Sequence, residues 1–438
     1  MRDRHAAWLT VYVLAVLGPL VLARAARGPS GRPFVAELGS SLGIVGLSVL
    51  AMQLVLPSRV RLFAALGAEV AVRLHRRLAE VLVSLIAAHV ILVMVADDRR
   101  LALLRFVDAP RRAQAAVGSM VALAALFGTS AIRGRLRLTY SGWRAAHVAL
   151  GVGALLLAVV HAWGVHRYLA ARPGFAGLGV LTVGAGWGVV HLRVARPRRL
   201  AAHPYRVERV EPERGGAATV HLCADGHAGD PFEPGQFAWI KPARSPLALA
   251  EHPFSYSSSA EVPERPSFTI KSYAGFSASA AKLKPGSQML VDGPHGAFRL
   301  DPRGAGALLV AGGIGITPCI SVLRTARDRD DRRRYLLVYG NRTLKDATFR
   351  EELARLRLSL DLAVVYVLSR PDADWTGEWT VECGYVDRAL LERHLPDDLR
   401  GWDFFICGPP AMADGALGAL VGLGLPAERV HVERFVAV

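Results

Sequence analysis

Lysine is nearly missing from this chain. Only five of its 53 basic residues are lysine (Lys241, Lys271, Lys282, Lys284 and Lys345), and none precedes residue 241. Paired cysteines are missing too. Cys223, Cys319, Cys383 and Cys407 are scattered and form no CxxC. That excludes a zinc ribbon, a fused plant-type iron–sulfur domain and a disulfide framework. All four lie in the second half, where a reducing cytosol is the simplest setting. Charge is sparse at 21% against 52% hydrophobic residues, which excludes a disordered chain. Acidic residues number 37, leaving a net charge of +16. So basic a chain invites a nucleic-acid reading. The arginines, however, sit between long apolar runs rather than on one soluble face, so no nucleic-acid partner is expected. The 438 residues leave room for two or three domains.

What the first half does contain is apolar length. Six stretches, about 7–24, 36–57, 72–96, 114–132, 146–165 and 175–195, are long enough or nearly so to cross a bilayer. The first lacks an obvious small-residue cleavage site and more spans follow, so it reads as a span rather than a signal peptide. With the N-terminus inside, fifteen flanking arginines lie inside and ten outside, a modest positive-inside bias that the 97–112 loop opposes.

The histidines carry the chemical signal. His75 and His89 lie on the third span, His147 and His161 on the fifth, and both pairs are fourteen residues apart. Fourteen helical residues turn through about 1400°, within about 40° of whole turns, so each pair shares a face. The rise of about 21 Å fits inside a core of about 30 Å. Seven histidines in the first 200 residues would give roughly 0.2 such pairs by chance. Two such helices side by side would set two imidazole pairs face to face, one in each leaflet. Facing imidazoles are axial ligands for a six-coordinate b-type haem. His5, His166 and His191 have no such partner.

From about residue 203 short β-like runs appear, broken by Gly and Pro: Tyr205–Val210, Ala218–Cys223, Gln236–Lys241, Ser267–Ser272 and Met289–Asp292. They suggest a small antiparallel barrel. After Arg303 strands alternate with helical patterns, which implies a parallel α/β sheet. Gly312-Gly313-Ile314-Gly315-Ile316-Thr317-Pro318 joins an apolar strand to a helix. Its glycines allow a pyrophosphate close to the backbone, and the helix N-terminus offers free N–H groups. In His252-Pro253-Phe254-Ser255-Tyr256-Ser257-Ser258, aromatics can cover a planar ring and hydroxyls can bond a flavin's polar edge.

With these residues in hand, the chain resembles the ferric reductase and NADPH oxidase family of transmembrane flavocytochromes over nearly its whole length. His252-Pro253-Phe254-Ser255 is similar to the HPF[ST] flavin motif, extended by Tyr256 and Ser257. Gly275-Phe276-Ser277 resembles the second flavin segment, beside the FAD pyrophosphate. Asp292-Gly293-Pro294-His295-Gly296 resembles the GPxG turn. Gly312, Gly313, Gly315, Thr317 and Pro318 match the GGxGxTP nucleotide motif, and Cys407-Gly408-Pro409-Pro410 matches the CGP motif beside the nicotinamide. Phe435 resembles the near-terminal aromatic that covers the flavin ring, although three residues follow it here. There are departures. Span two carries no central arginine, and Gln53 is its most polar deep residue. Val93 stands where oxygen-reducing members carry a further histidine, and no aromatic lies between His147 and His161.

The resemblance implies a six-helix transmembrane haem domain over residues 1–200, an antiparallel β-barrel FAD domain over 201–302 and an α/β NAD(P)-binding domain over 303–438. It implies catalytic positions at Ser255, Cys407 and Phe435. The expected cofactors are FAD, two haem b groups held by His75, His89, His147 and His161, and NADPH, with NADH possible. Arg342 and the cations after it, rather than an acidic residue, favour NADPH. Electrons would leave NAD(P)H as a hydride to FAD, pass singly through the haems, and reach an acceptor outside. A ferric chelate is preferred; dioxygen or a periplasmic carrier protein are the other candidates. Two rivals are a membrane-anchored flavoreductase without haem transfer and a non-enzymatic nucleotide sensor. Arginine usage suits a bacterial inner membrane with the nucleotide module in the cytoplasm.

Overall fold

The computed structural model describes residues 2–25, 31, 33–58, 68–96, 103, 105–136, 140–165, 172–243, 251–273, 275–296, 298, 300–301, 304–371 and 379–434. His166, Phe435 and several flanking arginines, Arg99 and Arg100 among them, lie outside the described residues. The chain divides into two compact units that part at Arg198 and Arg199.

The first unit is helical: α1 (Arg2–Ala25), α2 (Phe34–Val55), α3 (Ala68–Val95), α4 (Arg111–Ala131), α5 (Tyr140–Val165) and α6 (Arg172–Val190). Among the described residues the first five are long and apolar enough to cross a membrane. Their apolar side chains point outward as well as inward: Leu14, Val95, Val121 and Leu156 are each more than 60% exposed. Apolar residues all round a helix suit a lipid surface, where every backbone group must be bonded within the helix. Inside, Leu47, Leu50, Met52, Leu82, Leu123 and Leu155 form the core. After α6 the chain stays helical through a π turn (His191–Ala195) into α7 (Arg196–Ala202), past the expected end of the sixth span.

The second unit holds two sheets. β1 (Tyr205–Glu213), β2 (Ala217–Ala224), β3 (Phe237–Pro242), β4 (His252–Ser255), β5 (Ser267–Lys271) and β6 (Gln288–His295) form one sheet, ordered β4-β3-β6-β1-β2-β5. All its pairings are antiparallel. A bridge between Tyr256 and Phe268 joins the chain leaving edge strand β4 to edge strand β5. The short α8 (Phe276–Ala280) lies between β5 and β6.

The other sheet is parallel throughout: β7 (Gly306–Gly312), β8 (Arg334–Asn341), β9 (Leu362–Leu368), β10 (Thr380–Cys383), β11 (Trp402–Gly408) and β12 (Val430–Arg434). Helices α9 (Ile316–Asp328), α10 (Arg350–Leu356), α11 (Arg388–His394) and α12 (Pro410–Gly422) connect them. Its strands are apolar without a break because both faces are covered. Leu309, Leu337, Tyr339 and Val364 face one core, while Leu308, Val310, Val338 and Val365 face the other. α10 starts only after Phe349, which is left-handed at φ 63°. The order β10-β9-β8-β7-β11-β12 reverses between β7 and β11. Ligands of open α/β sheets sit at such a reversal, beyond the strand C-termini.

Candidate functional sites

α3 and α5 bring the four histidines together in two pairs. The His75 and His147 ring centroids are 6.2 Å apart, those of His89 and His161 6.4 Å. Two imidazoles binding one metal through Nε2 would put their centroids about 6 Å apart, with about 2 Å for each metal–nitrogen bond. Among the described residues no cluster of three or more His, Cys, Asp or Glu could hold a metal ion. Each pair therefore offers two facing nitrogens, and a metal held between them would take its other ligands from another group. A porphyrin fits that donor set.

The ring orientations fit as well. Nδ1 of His89 lies 2.7 Å from the Gly39 carbonyl, and Nδ1 of His161 lies 2.9 Å from the Arg112 carbonyl. A carbonyl only accepts, so each Nδ1 carries the proton and each Nε2 keeps a free lone pair. His147 Nδ1 is 3.2 Å from the Ser130 hydroxyl. Close approach to α2 requires Gly43, where a Cβ would stand 2.7 Å from His89 Nδ1. Gly39, Gly43, Arg112 and Ser130 were missed from sequence. Two of them act through main-chain carbonyls, and nothing in helical spacing links them to the histidines.

In the second unit the two flavin-like segments meet. The His252 ring stacks on Phe276 at 4.9 Å with 8° between planes, and Phe254 lies 6.1 Å from Phe276. Pro253, Gly275 and Ser277 flank this contact, and the Ser277 hydroxyl accepts from Tyr273 N–H. Ser255 is buried, and its Oγ has no hydrogen-bond partner among the described residues. A buried hydroxyl left unbonded is costly, and a ligand's polar edge would satisfy it. Tyr256 and Ser257 turn inward instead. Tyr256 stacks on Phe232 at 4.0 Å, and Ser257 Oγ bonds Ser267 and Thr269.

At the reversal of the parallel sheet, Gly312 and Gly315 lie against Gly408 and Cys407, while Gly313, at φ 52°, has open space where a Cβ would stand. A Cβ on Gly315 would fall 2.1 Å from the Cys407 carbonyl oxygen, so only glycine lets the two turns touch. Thr317 and Pro318 are buried in the first turn of α9, and Pro409 is exposed at the start of α12. Burial, with Glu433 and Cys319 nearby, pushes the Cys407 thiol well above its ordinary range. It is therefore a neutral thiol at pH 7, not a thiolate nucleophile.

Two further features were not read from sequence. α9 grips the chain that follows the HPFS strand. Ser321 Oγ donates to the Ser258 carbonyl at 2.7 Å, Arg324 donates to the Ser257 carbonyl at 2.5 Å, and Thr325 Oγ1 accepts from Ala260 N–H at 2.9 Å. Arg324 is itself held by both Glu352 oxygens. Arg370 also joins Arg342 at the strand ends, its N–H donating to the Arg342 carbonyl at 2.8 Å. A basic residue just after β9, beside one just after β8, was the available signal.

Comparison with known proteins agrees with this division. Residues 42–190 match the family described as ferric reductase like transmembrane component, and residues 309–417 match the oxidoreductase NAD-binding domain. The reductase component of propane 2-monooxygenase from Rhodococcus jostii is 29% identical over 236 residues, 52% of this chain and 62% of that protein. NADH-cytochrome b5 reductase 1 from Debaryomyces hansenii is 34% identical over 161 residues, 35% of this chain and 55% of that protein. The chain thus spans under two thirds of the length of both relatives. Among solved structures, the ferredoxin reductase in carbazole 1,9a-dioxygenase is 24% identical, with a TM-score of 0.45, covering 53% of this chain and 69% of that one.

Proposed function

We propose that this chain, an oxidoreductase in which a ferric-reductase-like transmembrane domain is joined to a ferredoxin/NADP-reductase-type FAD/NAD(P) module, passes electrons from cytosolic NAD(P)H to an acceptor on the outer face. Its domains are a six-helix transmembrane bundle over 1–200, a small β-barrel for FAD over 201–302 and the NAD(P) domain over 303–438. The membrane is a bacterial inner membrane. When bound, FAD accepts a hydride and two haem b groups carry electrons one at a time.

The protein's part is placement. His75 with His147, and His89 with His161, present nitrogen lone pairs across a gap of fitting width. Ser255 offers a buried hydroxyl to the flavin edge. His252, Pro253, Phe254, Gly275, Phe276 and Ser277 line that edge. Gly312, Gly313, Gly315, Thr317 and Pro318 give the pyrophosphate a close backbone and the N-terminus of α9. Cys407, Gly408 and Pro409 receive the nicotinamide. Arg342 and Arg370 carry the positive charge that a 2′-phosphate needs, which supports NADPH over NADH.

The observation that carries this reading is the facing of both histidine pairs at nearly one separation. Val93, where a further histidine would favour oxygen, and the outer arginines support a ferric chelate as acceptor. Stopped-flow reduction in proteoliposomes tests it: NADPH on the module side should shift a b-type Soret band to the longer wavelength of the ferrous haem, and ferric citrate outside should reverse the shift. Faster reoxidation by oxygen, with superoxide formed, would make the chain an oxidase. A protein without a reducible Soret band would be an anchored flavoreductase.

A further inference from the structure

Three of the four ligand imidazoles have Nδ1 engaged by a neighbouring helix: His89 by α2, His161 and His147 by α4. The fourth does not. Nδ1 of His75 is buried, with no hydrogen-bond partner among the described residues. Beside it stands Gln53 of α2, a buried amide whose Nε2 donates to the His75 carbonyl at 2.9 Å. The Oε1 of that amide is also buried, without a partner among the described residues. An unsatisfied nitrogen and an unsatisfied acceptor thus lie on two residues already joined by a hydrogen bond.

We propose that Gln53 is the positioning residue for His75, its Oε1 accepting the Nδ1 proton while its Nε2 stays on the His75 carbonyl. This rests on the two-haem reading above. To turn Nε2 toward His147 as a ligand, His75 must carry its single proton on Nδ1. A buried N–H needs an acceptor. An amide presents donor and acceptor side by side, so one Gln can serve a carbonyl and an N–H of the same residue. Gln53 is buried in α2, and no other part of the proposed function uses it. A hydrogen bond to the far nitrogen of a ligand imidazole fixes the ring and raises its donor strength.

The test uses the full-length protein in detergent or nanodiscs. Pyridine haemochrome assay of the parent and of His75→Ala comes first. A parent without two haems, or a His75→Ala variant that keeps both, overturns the two-haem reading and this inference with it. With that reading intact, Gln53→Met should cut haem affinity at the His75/His147 site by about tenfold or more. It should also raise that site's midpoint potential and move its low-spin ferric EPR signal, leaving the His89/His161 signal in place. Gln53→Glu, which still accepts, should retain affinity and move potential and signal the opposite way. If Gln53→Met leaves that site unchanged, or shifts both haems alike, the inference fails while the two-haem reading stands. If Gln53→Met does not accumulate, Gln53→Glu decides: an unmoved or raised potential overturns the inference.

Discussion

The two units hold their functional groups in opposite ways. In the helical unit each of the four paired imidazoles makes, among the described residues, at most one hydrogen bond to a neighbouring helix. In the second unit the turns are held by many. Ser321, Arg324 and Thr325 all reach the segment after β4, and Arg324 adds a bidentate pair to Glu352 and sits over the Phe349 ring at 5.0 Å. The difference follows from the surroundings. A spanning helix satisfies its own backbone and has few polar side chains to spare. A loop-built site must tie down backbone that no helix or ladder satisfies. The lesson is that single contacts matter more in the first unit, and that damage to one unit should leave the other intact.

The largest expected effect tests that independence. On the two-haem proposal, His89→Ala should reduce haem content by about half, because one of the two facing imidazole pairs is lost. Transfer to an outside acceptor should be lost. Reduction of a soluble dye by NADPH at the flavin should continue at the parental rate. Loss of both activities together would mean that the units are not independent, and would break the comparison. Measured haem per chain and dye reduction decide it.

The mirror experiment is Gly315→Ala. The added Cβ would meet the Cys407 carbonyl oxygen at 2.1 Å, backbone against backbone, so one turn must move. Overpacking of this kind costs about 1–3 kcal/mol where the chain can yield. Shifting the nucleotide turn should lower NADPH-dependent flavin reduction by about 10- to 100-fold. Haem content and spectrum should be unchanged. A normal rate of flavin reduction in stopped flow would remove this glycine from the site.

What the sequence made legible follows the same division. The histidine pairs were readable because a helix repeats locally, so a spacing of fourteen already places two side chains on one face. Their holders were not. Gly39 and Arg112 act through carbonyls that any residue carries, and Gln53 meets His75 only because α2 packs on α3. In the second unit, Gly312 to Pro318 was readable from a strand, a glycine turn and a helix in succession. That it touches Cys407 depends on β11 pairing beside β7, nearly a hundred residues on. Arg370 was overlooked because its partner Arg342 follows a neighbouring strand, 28 residues back along the chain. The short β10 and α11 also escaped notice, having too few residues to show a period.

A smaller effect sharpens the nucleotide side. Arg342 and Arg370 follow adjacent parallel strands and are joined through the backbone. A charge-assisted contact to phosphate is worth about 1.5–3 kcal/mol. Replacing both by Ala should therefore raise KM for NADPH by about 10- to 100-fold. KM for NADH should stay within about twofold, because it lacks the phosphate. Equal loss with both nucleotides would assign the arginines to surface charge rather than to recognition.

The smallest effect concerns stability and involves the second unit alone. His431 on β12 stacks on Phe405 at 5.1 Å, and burial holds its pKa below the ordinary histidine value, with Asp403 opposing. A histidine depressed in the folded state binds its proton more readily when unfolded. Its stabilising contribution is thus complete above the unfolded value of about 6.5 and declines as pH falls below it. His431→Phe keeps a ring against Phe405 and removes the titration. The parent should lose about 2 °C more Tm than this variant between pH 7.5 and pH 5.5, on the flavin-fluorescence transition of the second unit. The Soret transition of the helical unit should not distinguish the two proteins. Parallel pH profiles for parent and variant would show that this buried ring is not what the second unit loses in acid.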